Sequence, residues 1–322
     1  MSALPLQKTE ISINKYCCFL LIDFTFKYVI IKKIKLGGLI LKLKKIGKVA
    51  YGQDGAIFGG FLFRFDHRGN CTVYKIDEIS EESVPFAKFT LCSAEFIVPH
   101  SNSVMFGSTY YSEGDEFPLL YTNVYNNYQG YEDKRKGITC VYRLERHGNE
   151  FSTQLVQIIE IDFTEDPVWA SENQNDIRPY GNFVIDTENE IFYAFTMRDE
   201  EQKTRYFSFK MPSPYSGRYD AKYETKKFTI TKEQILDYFD CDYHRFVQGA
   251  SLKDGIIYST EGFTNDKINR PALRLIDPVA KKQKAVYYFS DFGTTIEPEL
   301  VDFDGYDCYY ADNEGNVYKL TF

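Results

Sequence analysis

The sequence predicts an all-β fold built from five repeated, four-stranded sheets. Aromatic residues make up 17% of the 322 residues, with 26 Tyr and 27 Phe against one Trp, and such side chains favour strands. Short runs with alternating apolar residues recur between turn signals along the chain. With 43% hydrophobic residues, the chain has enough apolar material for one large core.

The repeat is a polar marker, a strand, a turn and a second strand that ends in an aromatic residue. The final aromatics of the five second strands are 52 to 72 residues apart, too irregular for a solenoid. These runs are Gly60–Phe63, Pro118–Tyr121, Glu190–Tyr193, Gly255–Tyr258 and Asp307–Tyr310. The markers before them are Gln53–Gly55, His100–Asn102, Pro179–Gly181, Gln248–Gly249 and Glu297–Glu299.

Two further strands complete most units. We predict them at Cys71–Ile76 with Phe86–Leu91, Ile138–Leu144 with Leu155–Ile161, Arg205–Phe209 with Phe228–Ile230, and Ala272–Ile276 with Ala285–Phe289. The fifth unit stops one strand short, at Asn316–Phe322. A radial array that ends in this way predicts a five-bladed β-propeller closed by an N-terminal strand, here Leu39–Tyr51. The alternative is a two-sheet sandwich of the same strands.

One short helix is expected before the fourth blade. Thr231 and Gln234 have the spacing of a capping box, and Ile235, Leu236, Tyr238 and Phe239 give the following segment an apolar side.

The first fifty residues differ in charge from the rest of the chain. They carry ten Lys and no Arg against Glu10 and Asp23, whereas the whole chain has a net charge of −8. We therefore divide the chain into a basic N-terminal extension, 1–45, whose closing strand begins near 39, and one propeller domain, 46–322. Residues 1–35 are expected to be an irregular extension or translated sequence upstream of the natural start.

Several classes of protein are disfavoured. The apolar run Tyr16–Ile22 is shorter than the roughly 20 residues of a membrane span, and the N-terminus has only weak features of a secretory signal. We expect a soluble monomer and leave its compartment open. The acidic balance, with a pI near 5.2, disfavours nucleic-acid binding.

Cofactor and metal sites are not expected. The seven Cys include no C-x-x-C pair, and the four His show no ligand spacing. Neither a G-x-S-x-G elbow nor a phosphate-binding glycine loop is present.

The candidate ligand site lies where the inner strands begin, because in a propeller these starts converge near the central axis. The residues brought together would be polar and mixed in charge: Gln53, Asp54, His100, Asn102, Arg178, Gln248, Glu297 and Glu299. Such a set suits a carbohydrate or another small polar ligand. The alternative is that these side chains satisfy backbone groups where the blades crowd together.

Two other functions stay open. Glu297 and Glu299 share one strand face about 7 Å apart, and with Asp54 they could serve a carbohydrate-active hydrolase or lyase. A protein-interaction scaffold is the third possibility. Tyrosines of the long second unit would suit stacking on sugars: Tyr110, Tyr111, Tyr125, Tyr128 and Tyr131.

From about residue 46 to 322 the repeat organisation resembles that of five-bladed propeller proteins. This group includes sugar-binding lectins, furanosidase-type glycoside hydrolases and plant-type glutaminyl cyclases. The furanosidase pattern implies an acidic residue at the start of several blades; Asp54 and Glu297 match it, while His100 and Arg178 depart from it. Val168–Ala170 and Gln248–Gly249 resemble fragments of glutaminyl-cyclase-like propellers. The resemblance rests on the repeat and assigns no catalytic residue.

Overall fold

The computed structural model describes residues 41–93, 97–124, 137–162, 178–197, 204–241 and 247–322. Within these ranges, 22 strands form five separate sheets, four with four strands and one with six. The predicted all-β, five-bladed propeller is confirmed. In the same ranges, no helix has the length and hydropathy to cross a membrane.

Blades 1 and 2 follow the first strand, β1 (Lys42–Lys48), along the chain. Blade 1 contains β2 (Gly55–Phe58), β3 (Phe61–Phe65), β4 (Asn70–Lys75) and β5 (Ala87–Thr90). Blade 2 begins with β6 (Val104–Phe106), β7 (Leu120–Asn123), β8 (Gly137–His147) and β9 (Glu150–Ile161).

Blade 3 is interrupted by a hairpin that belongs to another sheet. It starts with β10 (Arg178–Asp186), β11 (Ile191–Met197) and β12 (Thr204–Lys210). The chain then forms β13 (Arg218–Asp220) and β14 (Thr225–Ile230), and it returns to blade 3 as β15 (Asp237–Cys241).

Blades 4 and 5 complete the ring. Blade 4 contains β16 (Val247–Lys253), β17 (Ile256–Glu261), β18 (Ala272–Asp277) and β19 (Lys282–Tyr288). Blade 5 contains β20 (Pro298–Asp304), β21 (Asp307–Asp312) and β22 (Asn316–Thr321).

The N-terminal strand closes blade 5, as predicted. β1 pairs antiparallel with β22, from Lys42 opposite Thr321 to Lys48 opposite Asn316. Leu41 and Val49 flank this strand and are buried. The first and last described strands therefore belong to one sheet. The division at residue 45 between extension and domain stays a prediction, and residues 1–40 lie outside the described part of the structure.

The prediction for the outer part of blade 3 was wrong. Phe228–Ile230 belongs to β14, which pairs parallel with β9 and so extends blade 2. The outer strand of blade 3 is β15, paired with β12. Side-chain contacts explain the transfer: Gln157 Nε2 donates to the Ser213 and Ser216 carbonyl oxygens at 2.8 and 3.0 Å, and Lys227 bridges Asp220 and Glu160.

The predicted helix before blade 4 is a single 3₁₀ turn, Lys232–Gln234, with the expected capping box at Thr231 and Gln234. The residues after it form strand β15, in which buried and exposed side chains alternate with a period of two. Phe239 and Cys241 are buried, while Tyr238 and Asp240 are not. A two-residue period fits a strand and excludes a helix.

The core lies between neighbouring blades, where aromatic side chains fill the wedge between twisted sheets. Phe63 of blade 1 contacts Phe106 and Phe117 of the next blade, with ring centroids 5.2 and 5.6 Å apart. In blade 3, Phe192 stacks between Phe183 and Phe209 at 4.8 Å. Offset and edge-to-face contacts of this kind add to the burial of apolar area and hold the inner strands around the axis.

Candidate functional site

The starts of the inner strands converge at one end of the central axis, which we call the proximal mouth. Three hydrogen bonds between blades define it. Asn102 Nδ2 of blade 2 donates to Gln248 Oε1 of blade 4 at 3.3 Å. Gln248 Nε2 in turn donates to Glu297 Oε1 of blade 5 at 2.6 Å. Gln53 Nε2 of blade 1 lies 3.4 Å from Glu299 Oε1.

Asp54 belongs to the same mouth. Its Oδ2 accepts a hydrogen bond of 2.9 Å from the Val104 amide at the start of blade 2. A Cβ built on Gly249 would lie 2.7 Å from Asp54 Oδ1 and 2.1 Å from the Glu299 carbonyl oxygen. Glycine is required here because the backbone of blade 4 approaches Asp54 and Glu299 so closely. The structure thus brings together six of the predicted residues: Gln53, Asp54, Asn102, Gln248, Glu297 and Glu299.

For the other two predicted residues, His100 and Arg178, the structure gives fewer contacts. The His100 ring is half-buried and lies 6.1 Å from the ring of His67, which belongs to the turn after β3. Arg178 begins β10 opposite Met197, but its side chain lies outside the described part of the structure. The roles expected of both residues, including the approach of Arg178 to Glu297, stay predictions.

Sequence reasoning missed Arg64, the buried cation of this site. Its side chain is 1% exposed, and its Nη2 donates to the Gly52 and Asp312 carbonyl oxygens at 2.9 and 2.8 Å. The sequence does contain a sign of this buried cation, because a lone Arg interrupts the apolar strand Phe61–Phe65. An arginine in such a position requires fixed acceptors or acidic neighbours.

A second layer of polar side chains ties blades 2, 3 and 4 together. Asn182 Nδ2 donates to the Val247 and Gln248 carbonyl oxygens at 3.1 and 2.7 Å. Asn123 Nδ2 donates to Asn182 Oδ1 at 3.3 Å, and Asn123 Oδ1 accepts from the Ser103 amide at 3.1 Å. These two asparagines therefore satisfy backbone groups beside the mouth.

Burial controls the charge of the carboxyl groups. It raises the pKa of Glu299 well above its usual range, Glu297 reinforces this effect, and Arg64 opposes it. Burial also raises the pKa of Asp54, against the opposing amides of Gly55 and Val104 and the charge of Arg64. The pKa of Glu297 is raised by burial and lowered by Asn313, whose Nδ2 lies 3.0 Å from Oε2.

Several buried polar atoms at the proximal mouth make no hydrogen bond with any described residue. The acceptors are Asp54 Oδ1, Asn102 Oδ1 and Glu299 Oε2, and the donors are Arg64 Nε and Nη1. Buried polar groups in proteins are nearly always paired, so such a concentration needs a reason. Within the described ranges, no group of three or more His, Cys, Asp or Glu side chains has the arrangement of a metal site.

Comparison with known proteins assigns no family, since no protein-family model and no curated protein sequence matches this chain. Among similar solved structures, the glutaminyl cyclase of Myxococcus xanthus is 9% identical and has a TM-score of 0.48, with 87% of this chain and 94% of that chain covered. A glucose dehydrogenase is 10% identical and has a TM-score of 0.44, with 87% of this chain and 98% of that chain covered. The virginiamycin B lyase of Staphylococcus aureus is 10% identical and has a TM-score of 0.40, with 88% of this chain and 99% of that chain covered. All three identities are too low to transfer an activity.

Proposed function

We propose that the chain binds a small polar ligand rich in hydroxyl groups, such as a carbohydrate, at the proximal mouth. The observation that carries the proposal is the set of buried acceptors without partners, Asp54 Oδ1, Asn102 Oδ1 and Glu299 Oε2. They come from blades 1, 2 and 5 and lie at the same end of the central axis. A hydroxyl group donates one hydrogen bond and accepts others, which matches these acceptors and the free donors of Arg64.

The rigidity of the mouth favours recognition. Gln248 is held by Asn102 on one side and Glu297 on the other, and Asn182 fixes the backbone beneath it. Side chains that are already ordered lose little conformational entropy when a ligand binds. The acceptors are therefore arranged before the ligand arrives.

A glycan-array screen followed by calorimetry tests this function. We expect Glu299→Ala to weaken binding of any ligand found by about tenfold, because the variant lacks the carboxyl oxygen Oε2 altogether. Glu150→Ala is the matched control, since Glu150 is exposed at the start of β9. Equal affinity of the two variants would contradict the proposed site.

A second candidate is a carbohydrate-active hydrolase or lyase that uses Glu299, Glu297 and Asp54. The raised pKa of Glu299 favours it, because a carboxyl group that stays protonated can act as a general acid. Turnover of a panel of furanosides and oligosaccharides, abolished by Glu297→Gln, would place this function first. If the chain shows neither binding nor turnover, the protein-interaction scaffold is the function that remains.

A further inference from the structure

A separate cavity of about 370 Å³ lies at the opposite end of the inner strands, which we call the distal mouth. Its lining includes a residue from the end of each inner strand: Ile57, Met105, Ile185, Ser251 and Asp302. In blade 5, for example, Asp302 follows Glu299 of the proximal mouth by three residues. The hydrogen-bonded layers of Gln248 and Asn182 described above lie at the other end of the same strands.

Asp302 is the acidic group of this cavity, and it has only neutral partners. Its Oδ2 accepts a 2.7 Å hydrogen bond from the Ile57 amide, and its Oδ1 accepts one of 2.8 Å from the Ser251 hydroxyl. No cationic side chain among the described residues forms an ion pair with it. Burial raises its pKa to about 6, so the group is still mostly ionised at neutral pH. A partly buried carboxylate without a counter-ion is a place where a cation would be stabilised.

About half of the lining is apolar. Phe58, Phe106, Leu252 and Phe303 are the large apolar residues of this part of the wall. Lys253 also lines the cavity, but its Nζ lies 5.3 Å from the ring centroid of Tyr306, which is 92% exposed. The lysine charge is therefore held at the rim. The cavity volume corresponds to about a dozen non-hydrogen atoms and falls within the range of small-molecule sites.

We propose that the distal mouth binds a small amphipathic primary amine, with its ammonium group on Asp302 and its apolar body against the aromatic and aliphatic wall. The ammonium group supplies the counter-ion that Asp302 lacks, and the apolar body of the amine covers the apolar part of the wall. This site shares no side chain with the proximal mouth. It does not depend on the function proposed there.

The test compares two probes of equal size, 2-phenylethylamine and 2-phenylethanol, by calorimetry at neutral pH. We expect the amine to bind with a dissociation constant of about 1 mM or tighter, as ordinary ligand efficiency allows for so small a molecule. The alcohol should bind about tenfold more weakly, because it cannot form a charge-assisted hydrogen bond. Equal binding of the two probes, or no saturable binding of the amine, would overturn the proposal.

Four variants locate the site. Asp302→Asn should weaken the amine about tenfold and leave the alcohol nearly unchanged, whereas Asp77→Asn, an exposed residue of blade 1, should change neither. Thr187 is exposed at the rim, so Thr187→Trp should block both probes without disturbing the core, and it decides the question if Asp302→Asn fails to fold. Amine binding that Thr187→Trp leaves intact, or that Glu299→Gln abolishes, would show that the amine binds elsewhere.

Discussion

Gly249 of blade 4 lies directly against the carboxyl group of Asp54 of blade 1, with no room for a side chain between them. A Cβ on Gly249 would lie 2.7 Å from Asp54 Oδ1 and 2.1 Å from the carbonyl oxygen of Glu299. Because a backbone atom is the nearer obstacle, a rotamer change cannot relieve the contact. The spacing of blades 1, 4 and 5 at the proximal mouth depends on this glycine.

Replacement of Gly249 by Ala should therefore lower the free energy of unfolding by about 3 kcal/mol or prevent folding, since an overpacked site forces the backbone to shift. Urea unfolding measures the effect. Gly59→Ala is the control, because its added Cβ meets nothing within 4 Å and only its positive φ of 59° costs about 1 kcal/mol. Equal losses in the two variants would show that the contact is not rigid.

Arg64 should be essential to the proximal mouth. In Arg64→Met the Gly52 and Asp312 carbonyl oxygens lose their donor, and the buried carboxyl groups lose the opposing charge. We expect a loss of about 3 to 5 kcal/mol in the free energy of unfolding. Arg64→Lys should restore little of it, because one ammonium group cannot reproduce the planar fork of donors. Full recovery in the lysine variant, measured by urea unfolding, would contradict this account.

Truncation tests the closure of the ring. Removal of residues 1–35 should leave the unfolding midpoint unchanged. Removal of 1–51 deletes β1 and its flanking Leu41 and Val49, exposes the edge of β22 and should cost about 5 kcal/mol or more. Thermal unfolding of both proteins gives the comparison. Similar midpoints for the two truncations would show that β1 is dispensable.

Asp302 should make folding less favourable as the pH rises between about 4 and 6. Its pKa is about 6 in the folded chain against an ordinary value of 3.8, so in this window the folded state holds the proton and the unfolded state has released it. The stability contribution is complete below the lower value and is lost as the pH rises through the upper one. The difference in unfolding free energy between the wild-type chain and Asp302→Asn, measured at pH 4 and pH 7, should change by up to about 3 kcal/mol. A constant difference would mean that the pKa of Asp302 is not raised.

The strand pattern alone was sufficient for most of the architecture. Period-two alternation in runs such as Gly255–Tyr258 and Ala272–Ile276 is a local property, and so are the turns that follow the markers. The last unit lacked its fourth strand, and Leu39–Tyr51, which stands just before the first marker and alternates partly, was the natural candidate to supply it. Convergence of Gln53, Asn102, Gln248 and Glu297 followed from the ring itself, because equivalent strand starts must meet at the axis.

Only the tertiary structure decided which sheet received each strand and which side chains were buried together. Phe228–Ile230 reads as a strand in either blade, and its place in blade 2 depends on contacts with Gln157 and Glu160, far away in sequence. Arg64 is buried because Asp312, 248 residues away, supplies a carbonyl oxygen. The distal cavity joins the ends of five inner strands. Local periodicity determines what a segment is, whereas its partners are chosen by long-range packing, which no short window of sequence contains.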